Sequence, residues 1–278
     1  MGCNSPAMGG YREGSDSRAR LVLLTDLLGP VFGTENICYL LHAMVRMRRC
    51  ARIVELGTGL GVSAFWMASA ARLNGVGHLW TVDDDRLFRA EPTLLSSACS
   101  ALTRAGFGSI EAATPDEYFG EVSRTLGLDA TLTRVNSRID LGDPDHLARY
   151  PFLTEQPIDL LFSDFSHGPL DVLGLLAQCL PLMAPASSIF IDSSSTVWSS
   201  YLLLEALVQH LNRGAVPQAL QEQATVDLSR IMATRRLVLV HLTEDQARRQ
   251  NSTSWLKMEP IDVLAQPRAQ TLGFSPTP

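Results

Sequence analysis

The sequence lacks the cysteine patterns that mark metal-binding or disulfide-stabilised proteins. Its five cysteines are scattered along 278 residues, and no two of them form a Cys-x-x-Cys pair. An odd number without paired spacing predicts neither a zinc site nor a disulfide framework. A reducing, cytoplasmic compartment is therefore the expected location.

The sequence also lacks a basic face and a long apolar run. The formal net charge is -6 at pH 7, whereas proteins that bind nucleic acid usually carry a basic face. No apolar stretch reaches the length that a membrane-spanning helix needs, and the first twenty residues contain no apolar segment of the kind found in signal peptides. We therefore expect neither nucleic acid nor a membrane as a partner.

The chain does contain enough apolar material for one sizeable core. Hydrophobic residues make up 46% of the chain and charged residues 19%, a balance typical of globular proteins. Residues 1–18 predict a mobile polar arm, and residues 266–278, with three prolines, predict a poorly ordered tail. No repeat or linker interrupts residues 19–265, which are predicted to form a single domain.

Within this domain, short apolar runs alternate with segments of helical spacing. Strands are predicted at 51–57, 78–85, 130–137, 157–164 and 187–194, and helices at 62–74, 91–105, 170–183 and 197–213. Strands that are apolar on both faces and separated by helices indicate a mostly parallel sheet covered on both sides. Residues 226–232 and 235–242 predict a tight hairpin, which would add an antiparallel strand near one edge.

A glycine-rich loop follows the first predicted strand, in the stretch VELGTGLGVSA. Gly57, Gly59 and Gly61 alternate just before a helix, where glycine permits a tight turn and the helix offers free N–H groups. Asp83 closes the second strand 22 residues later, and a carboxylate there can bind both hydroxyls of a ribose. Loop and acid together predict a cofactor of the adenosine type, although a glycine turn can also simply join strand to helix.

The loop reads GxGxG and therefore departs from the dinucleotide pattern GxGxxG. Glu55 stands two residues before the first glycine, and a carboxylate suits a cation better than a pyrophosphate. S-adenosylmethionine (SAM) carries an ammonium and a sulfonium group and no phosphate, so it is the favoured cofactor. An NAD(P)-dependent oxidoreductase that uses the same loop is the alternative, against which the absence of a Tyr-x-x-x-Lys pair also weighs.

Four stretches of the chain, VELGTGLGVSA, LWTVDDD, IDLLFSD and IFIDSS, together resemble the class I SAM-dependent methyltransferases. The resemblance spans about Thr34 to Leu242 and is closest to the catechol and caffeoyl-CoA type O-methyltransferases. It implies a Rossmann-like three-layer α/β sandwich with a seven-stranded, mostly parallel sheet and an antiparallel hairpin strand at one edge. It also implies a helical cap over residues 19–50 and a small molecule as the substrate.

The same resemblance assigns residues to the cofactor. The methionine part of SAM would be held by the acid and the loop that follow the first strand, namely Glu55, Gly57, Thr58, Gly59 and Gly61. Ser63 would touch the methionine carboxylate and Asp83 the ribose. Ser137, after the third strand, would flank the adenine, and Asp164 would complete the cofactor site.

Transfer of a methyl group to a hydroxyl also requires that the hydroxyl lose its proton, to a side chain or through a metal. Asp164 and Asp192 end neighbouring predicted strands and could hold Mg²⁺ with waters and substrate oxygens. The resembled enzymes place Asn directly after the second Asp, where this chain has the weaker ligand Ser193. The alternative is that both carboxylates accept hydrogen bonds from helix N-terminal N–H groups.

His167 stands three residues after Asp164, where the resembled enzymes place a basic residue. Histidine changes charge between pH 5 and 8 and therefore suits a general base, although a loop histidine is often satisfied by the backbone alone. We thus expect a SAM-dependent O-methyltransferase in which Asp164 and His167 are catalytic. A non-catalytic SAM-fold protein, a SAM reaction other than methyl transfer, and a homodimer formed by the N-terminal helices or the edge hairpin are left open.

Overall fold

A seven-stranded sheet organises the computed structural model, which describes residues 9–31, 35–243 and 252–261. The strands are β1 (Arg52–Leu56), β2 (His78–Asp83), β3 (Leu132–Asn136), β4 (Ile158–Ser163), β5 (Met183–Asp192), β6 (Arg235–Thr243) and β7 (Ser252–Pro260). Their order across the sheet is β3-β2-β1-β4-β5-β7-β6. Strands β1 to β5 pair in parallel, whereas β7 is antiparallel to both β5 and β6.

Helices connect these strands and cover both faces of the sheet. They are α1 (Gly9–Leu28), α2 (Glu35–Arg48), α3 (Val62–Asn74), α4 (Arg86–Ala90), α5 (Pro92–Arg104), α6 (Pro115–Thr125), α7 (Pro151–Thr154), α8 (Pro169–Cys179), α9 (Trp198–Asn212), α10 (Gln218–Glu222) and α11 (Leu228–Met232). One core packs α1, α2, α3, α5 and α6 against the sheet, and a second core packs α8 to α11 against the opposite face. The predicted three-layer α/β sandwich with a mostly parallel sheet is therefore confirmed.

Strand β1 lies at the centre of the sheet, between β2 and β4. All five of its residues are buried, as expected for a parallel strand covered by helices on both faces. The chain leaves β1 at its carboxyl end and enters α3 through the glycine loop. In open α/β sheets this end of the central strands is where ligands bind, so the topology brings the predicted site residues to one edge.

The predicted hairpin is wrong in its first arm. Residues 228–232 form α11, because the side chain of Asp227 accepts a hydrogen bond from the backbone N–H of Ser229 and starts a helix there. Strand β6 begins at Arg235 and instead pairs with β7. The antiparallel strand near the edge is thus real, but it comes from residues that were not predicted as a strand.

The two ends of the chain were predicted to be a mobile arm and a poorly ordered tail. Helix α1 begins at Gly9, so the boundary predicted at residue 18 falls inside a helix. Helices α1 and α2 account for most of residues 19–50, and their role as a cap over the site stays a prediction. The predicted tail, residues 266–278, lies outside the described residues. Among the helices that are described, none combines the length and the apolar character needed to cross a membrane.

Candidate active site

A cavity of about 520 Å³ opens at the carboxyl ends of the central strands. It is lined by the glycine loop and the start of α3 (residues 57–63), by the exit of β2 with α4 (Asp83, Asp84, Arg86, Leu87 and Ala90), by Ile139, and by the exit of β4 (Asp164, Phe165 and His167). Cavities of roughly 300–1,000 Å³ are typical of small-molecule sites. The lining holds most of the residues that were predicted to bind the cofactor.

The glycine loop requires its glycines for both conformation and space. Gly57, Gly59 and Gly61 have φ of 94°, 49° and 78°, in the left-handed region that disfavours residues with a Cβ atom. A Cβ atom on Gly57 would lie 2.3 Å from the carbonyl oxygen of Asp164. The first glycine therefore lets the loop pass directly against the exit of β4.

Asp83 holds the loop in shape from the neighbouring strand. Its Oδ2 accepts hydrogen bonds from the backbone N–H groups of Thr58 (2.8 Å) and Gly59 (3.0 Å), and its Oδ1 accepts one from Asp85 (2.7 Å). The carboxylate also lines the cavity. It lies where a ribose-binding acid is expected, and contact with a ribose stays a prediction.

Glu55 lies behind the loop instead of at the cavity surface. Its side chain is fully buried, and its two oxygens accept hydrogen bonds from the hydroxyls of Ser63 and Thr81, both at 2.5 Å. Burial raises the pKa of the Glu55 carboxyl to about 8, with a smaller upward contribution from the charge of Asp83. The predicted ligand of the methionine part does not itself line the cavity, whereas its hydrogen-bond donor Ser63 does.

His167 is held in a defined orientation at the exit of β4. Its Nδ1 lies 3.0 Å from the carbonyl oxygen of Asp192, and because a carbonyl can only accept, Nδ1–H is the donor. The hydroxyl of Ser200 donates to the carbonyl of His167 at 2.5 Å and ties this loop to the first turn of α9. In the neutral imidazole Nε2 then carries the lone pair, so the residue can take a proton.

Asp192 and Ser193 form a closed hydrogen-bonded group with β7. Both residues are buried, and the carboxylate of Asp192 accepts hydrogen bonds from the hydroxyls of Ser193 (2.8 Å) and Thr253 (3.0 Å). Burial raises the pKa of the Asp192 carboxyl, against the lowering effect of these hydroxyls. Asp192 is therefore satisfied by side-chain hydroxyls, not by the helix N–H groups of the sequence-based alternative.

This group does not fit the predicted magnesium site. Mg²⁺ needs open carboxylate oxygens and room for several waters, whereas the oxygens of Asp192 face two hydroxyls and Ser193 acts as a donor to them. Asp164 lines the cavity, but Asp192 does not belong to its lining. Within the described residues, no three histidine, cysteine, aspartate or glutamate side chains group in a way that could hold a metal ion.

Ser137 follows β3 as predicted, but it does not belong to the cavity lining. Its hydroxyl lies 2.6 Å from the hydroxyl of Tyr150, and its N–H donates to the carbonyl of Asp83 at 2.8 Å. The residue of this loop that lines the cavity is Ile139. The adenine contact predicted for Ser137 stays a prediction.

Sequence reasoning missed the wall formed by Asp84 and α4. Arg86 extends along this wall and donates to Asp84 at 3.0 Å, while Arg89 donates to the carbonyl of Asp84 at 2.6 Å. A helix of five residues is too short to show a helical period in the sequence. The run of three acids at 83–85 could have indicated it, because the carboxylate of Asp84 accepts a hydrogen bond from the backbone N–H of Arg86 at the start of α4.

The match to known proteins identifies the class to which this site belongs. A family model described as a methyltransferase domain matches residues 54–194, which is just over half of the chain. The chain belongs to this methyltransferase-domain family. The predicted family is thereby confirmed, and the alternative of an NAD(P)-dependent oxidoreductase is wrong.

Two relatives match a short segment of the chain. Two proteins of Mycobacterium sp., from strains KMS and MCS, carry the name "Putative O-methyltransferase" and are each 37% identical to the chain over 75 residues. That segment covers 27% of this chain and 30% of the length of each relative.

Solved structures that are similar to this chain include two O-methyltransferases. TomG from Streptomyces achromogenes, described in complex with SAM, is 19% identical, with 81% of this chain and 80% of TomG covered and a TM-score of 0.44. The enzyme from Bacillus cereus, described in complex with SAH, is 14% identical, with 85% and 90% covered and a TM-score of 0.47.

Proposed function

We propose that this protein transfers a methyl group from SAM to an oxygen atom of a small molecule, with His167 as the general base. The observation that carries the proposal is the shared cavity of the glycine loop, Asp83 and His167 at the carboxyl ends of β1, β2 and β4. Membership of the methyltransferase-domain family supports the reaction class.

The charges of the cavity favour a cationic cofactor over a dinucleotide. Its lining contains the carboxylates of Asp83, Asp84 and Asp164, and Arg86 already donates to Asp84. A pyrophosphate would meet like charges here, whereas opposite charges attract strongly at such short distances. When bound, SAM supplies a methyl group on a positively charged sulfur.

The residues of the chain would position the cofactor and the acceptor and remove the proton of the acceptor hydroxyl. The glycine loop, Asp83 and the exit of β4 line one cavity, so an acceptor held beside His167 would lie near the cofactor. Because Nδ1–H is bonded to the carbonyl of Asp192, Nε2 is the atom that would take the proton of an acceptor hydroxyl. Placing two reactants in line in this way supplies a large share of the rate in methyl transfer.

Two observations refine the acceptor and its activation. The name of the mycobacterial relatives, at 37% identity over a short segment, supports oxygen as the atom that is methylated. The closed group around Asp192 supports deprotonation by His167 in place of a magnesium ion held by Asp164 and Asp192. The cytoplasmic location, the absence of a nucleic-acid partner and the homodimer stay predictions.

The direct test is a mass-spectrometric screen of small hydroxylated molecules incubated with the protein and SAM. We expect at least one acceptor to gain a methyl group while S-adenosylhomocysteine (SAH) accumulates in equal amount. The same screen with the His167→Ala variant should show at least a hundredfold lower turnover, since general bases contribute roughly 10²–10⁴-fold. SAM binding without any methylated product would instead indicate a non-catalytic SAM-fold protein.

A further inference from the structure

Two threonines and a serine connect the buried Glu55 to the cavity. Ser63 lines the cavity and donates to one oxygen of Glu55. Thr58 also lines the cavity, and its hydroxyl lies 2.6 Å from that of Thr81, which donates to the other oxygen. Glu55 is thus fully buried, yet on each side it is separated from the cavity by a short chain of hydroxyls.

These hydroxyls can serve either protonation state of Glu55. When the carboxyl is ionised, Ser63 and Thr81 donate to its two oxygens. When it is protonated, its O–H can donate to Thr81, which in turn donates to Thr58, because either of the two threonine hydroxyls can be the donor. Gain or loss of a proton therefore leaves no partner of this chain unsatisfied.

The charges that face Glu55 oppose its ionisation when the cavity holds no cation. From β2 it is faced by Asp83, whose charge raises the pKa of Glu55 together with the larger effect of burial. From α3 it is faced by the neutral Ser63, and from β4, the other neighbour of β1, by the apolar Phe162. Asp164 directly follows the last residue of β4. With a pKa of about 8, the carboxyl is largely protonated at neutral pH.

We infer that Glu55 is a specificity residue that distinguishes SAM from its product SAH, which lacks the sulfonium charge, by releasing a proton when the sulfonium binds. This inference rests on the proposed function. SAM carries a sulfonium charge that SAH lacks, so an ionised carboxylate just behind the cavity stabilises SAM more than SAH. The proton lost by the Glu55 carboxyl goes to the solvent, and the carboxyl regains one when the sulfonium becomes a thioether.

Isothermal titration calorimetry at pH 7 tests this, with SAM and SAH each titrated in two buffers of different ionisation heat. The amino group of both ligands titrates in the same range, so the Glu55→Gln variant supplies the baseline. We expect the wild-type protein to release at least half a proton more per SAM bound than this variant, and the difference for SAH to be much smaller. The ratio of SAM affinity to SAH affinity should fall at least tenfold in Glu55→Gln.

Glu205→Gln is the matched control, because Glu205 is an exposed glutamate of α9, and it should behave as the wild type does. Equal proton release by the wild type and Glu55→Gln, with both ligands bound, would overturn the inference. If Glu55→Gln does not fold, the wild type decides alone, since equal proton release with SAM and SAH would equally overturn it. If the wild type binds neither ligand, it is the proposed function that fails.

Discussion

At the scale of single residues, His167 has the most direct role in the proposed chemistry. Its Nδ1–H is fixed by the carbonyl of Asp192, which leaves Nε2 to accept a proton. We predict that His167→Ala lowers turnover at least about a hundredfold while the dissociation constant of SAM changes little, as measured by steady-state kinetics and calorimetry. Added imidazole should restore part of the rate.

The control for His167 is His210→Ala, because His210 is an exposed histidine in the last turn of α9. This variant should keep wild-type turnover. If His167→Ala retains full turnover, or loses it only together with SAM binding, His167 is not the base.

Glu55 leads to a second prediction at this scale, on stability. Burial raises its pKa to about 8, so the folded protein holds a proton that the unfolded chain gives up at lower pH. The stability that this proton confers is fully present below the unfolded pKa and is lost as the pH rises through the folded pKa. Glu55→Gln should therefore gain stability relative to the wild type by roughly 1.4 kcal/mol per pH unit between about pH 5 and 7.

Urea unfolding at several pH values measures this difference. Other groups titrate in the same range, so the result is the difference between Glu55→Gln and the wild type at each pH, with the exposed Glu205→Gln as the control. If the free energies of unfolding of the wild type and Glu55→Gln change equally with pH, Glu55 does not take up a proton on folding.

The sequence predicted the residue types of the site better than their contacts. The spacing of Glu55, the glycines, Asp83 and Asp164 predicted a SAM site, and strand ends and loop lengths fix where those residues lie along the chain. It could not show that Glu55 points behind the loop toward Thr81, since that depends on the side of β1 that α3 covers. The hydroxyl of Thr253 on Asp192 was equally hidden, because β7 lies 61 residues further along the chain.

At the scale of elements, the loop between β1 and α3 is constrained by the close approach of Gly57 to the exit of β4. We predict that Gly57→Ala abolishes SAM binding and costs about 2–5 kcal/mol, from the left-handed conformation and the overlap with the carbonyl of Asp164. Gly106→Ala is the control, because Gly106 has a similar φ of 86° and open space around its Cβ position. It should lose only about 1–2 kcal/mol.

Both variants can be compared by urea unfolding and by calorimetry with SAM. The difference between them isolates the effect of the close approach from that of the backbone conformation. Equal destabilisation of the two, with SAM binding kept in Gly57→Ala, would contradict the role given to this glycine.

The elements themselves were predicted well where one rule was sufficient. Helix α3 was predicted at residues 62–74, and the structure has it from Val62 to Asn74. It ends there because Gly75 adopts a left-handed conformation. The five parallel strands followed from apolar runs that helices cover on both faces. Helix α11 was missed because its five residues fit a strand as well as a helix, and only the cap by Asp227 decides between them.

At the scale of the whole molecule, the closed group around Asp192 predicts the response to metal removal. Its carboxylate oxygens accept hydrogen bonds from Ser193 and Thr253, an arrangement that does not fit a magnesium site shared with Asp164. We predict that EDTA leaves turnover of an acceptor from the screen unchanged and that added Mg²⁺ does not raise it. Loss of turnover in EDTA that Mg²⁺ restores would require Asp192 to turn toward the cavity.

The central claim is that the cavity at the carboxyl ends of β1, β2 and β4 is a site for SAM, and calorimetric binding tests it most directly. We expect the wild type to bind SAM and SAH with one site per chain, Gly57→Ala to bind neither, and NADH not to bind. Binding of NADH without binding of SAM or SAH would contradict it.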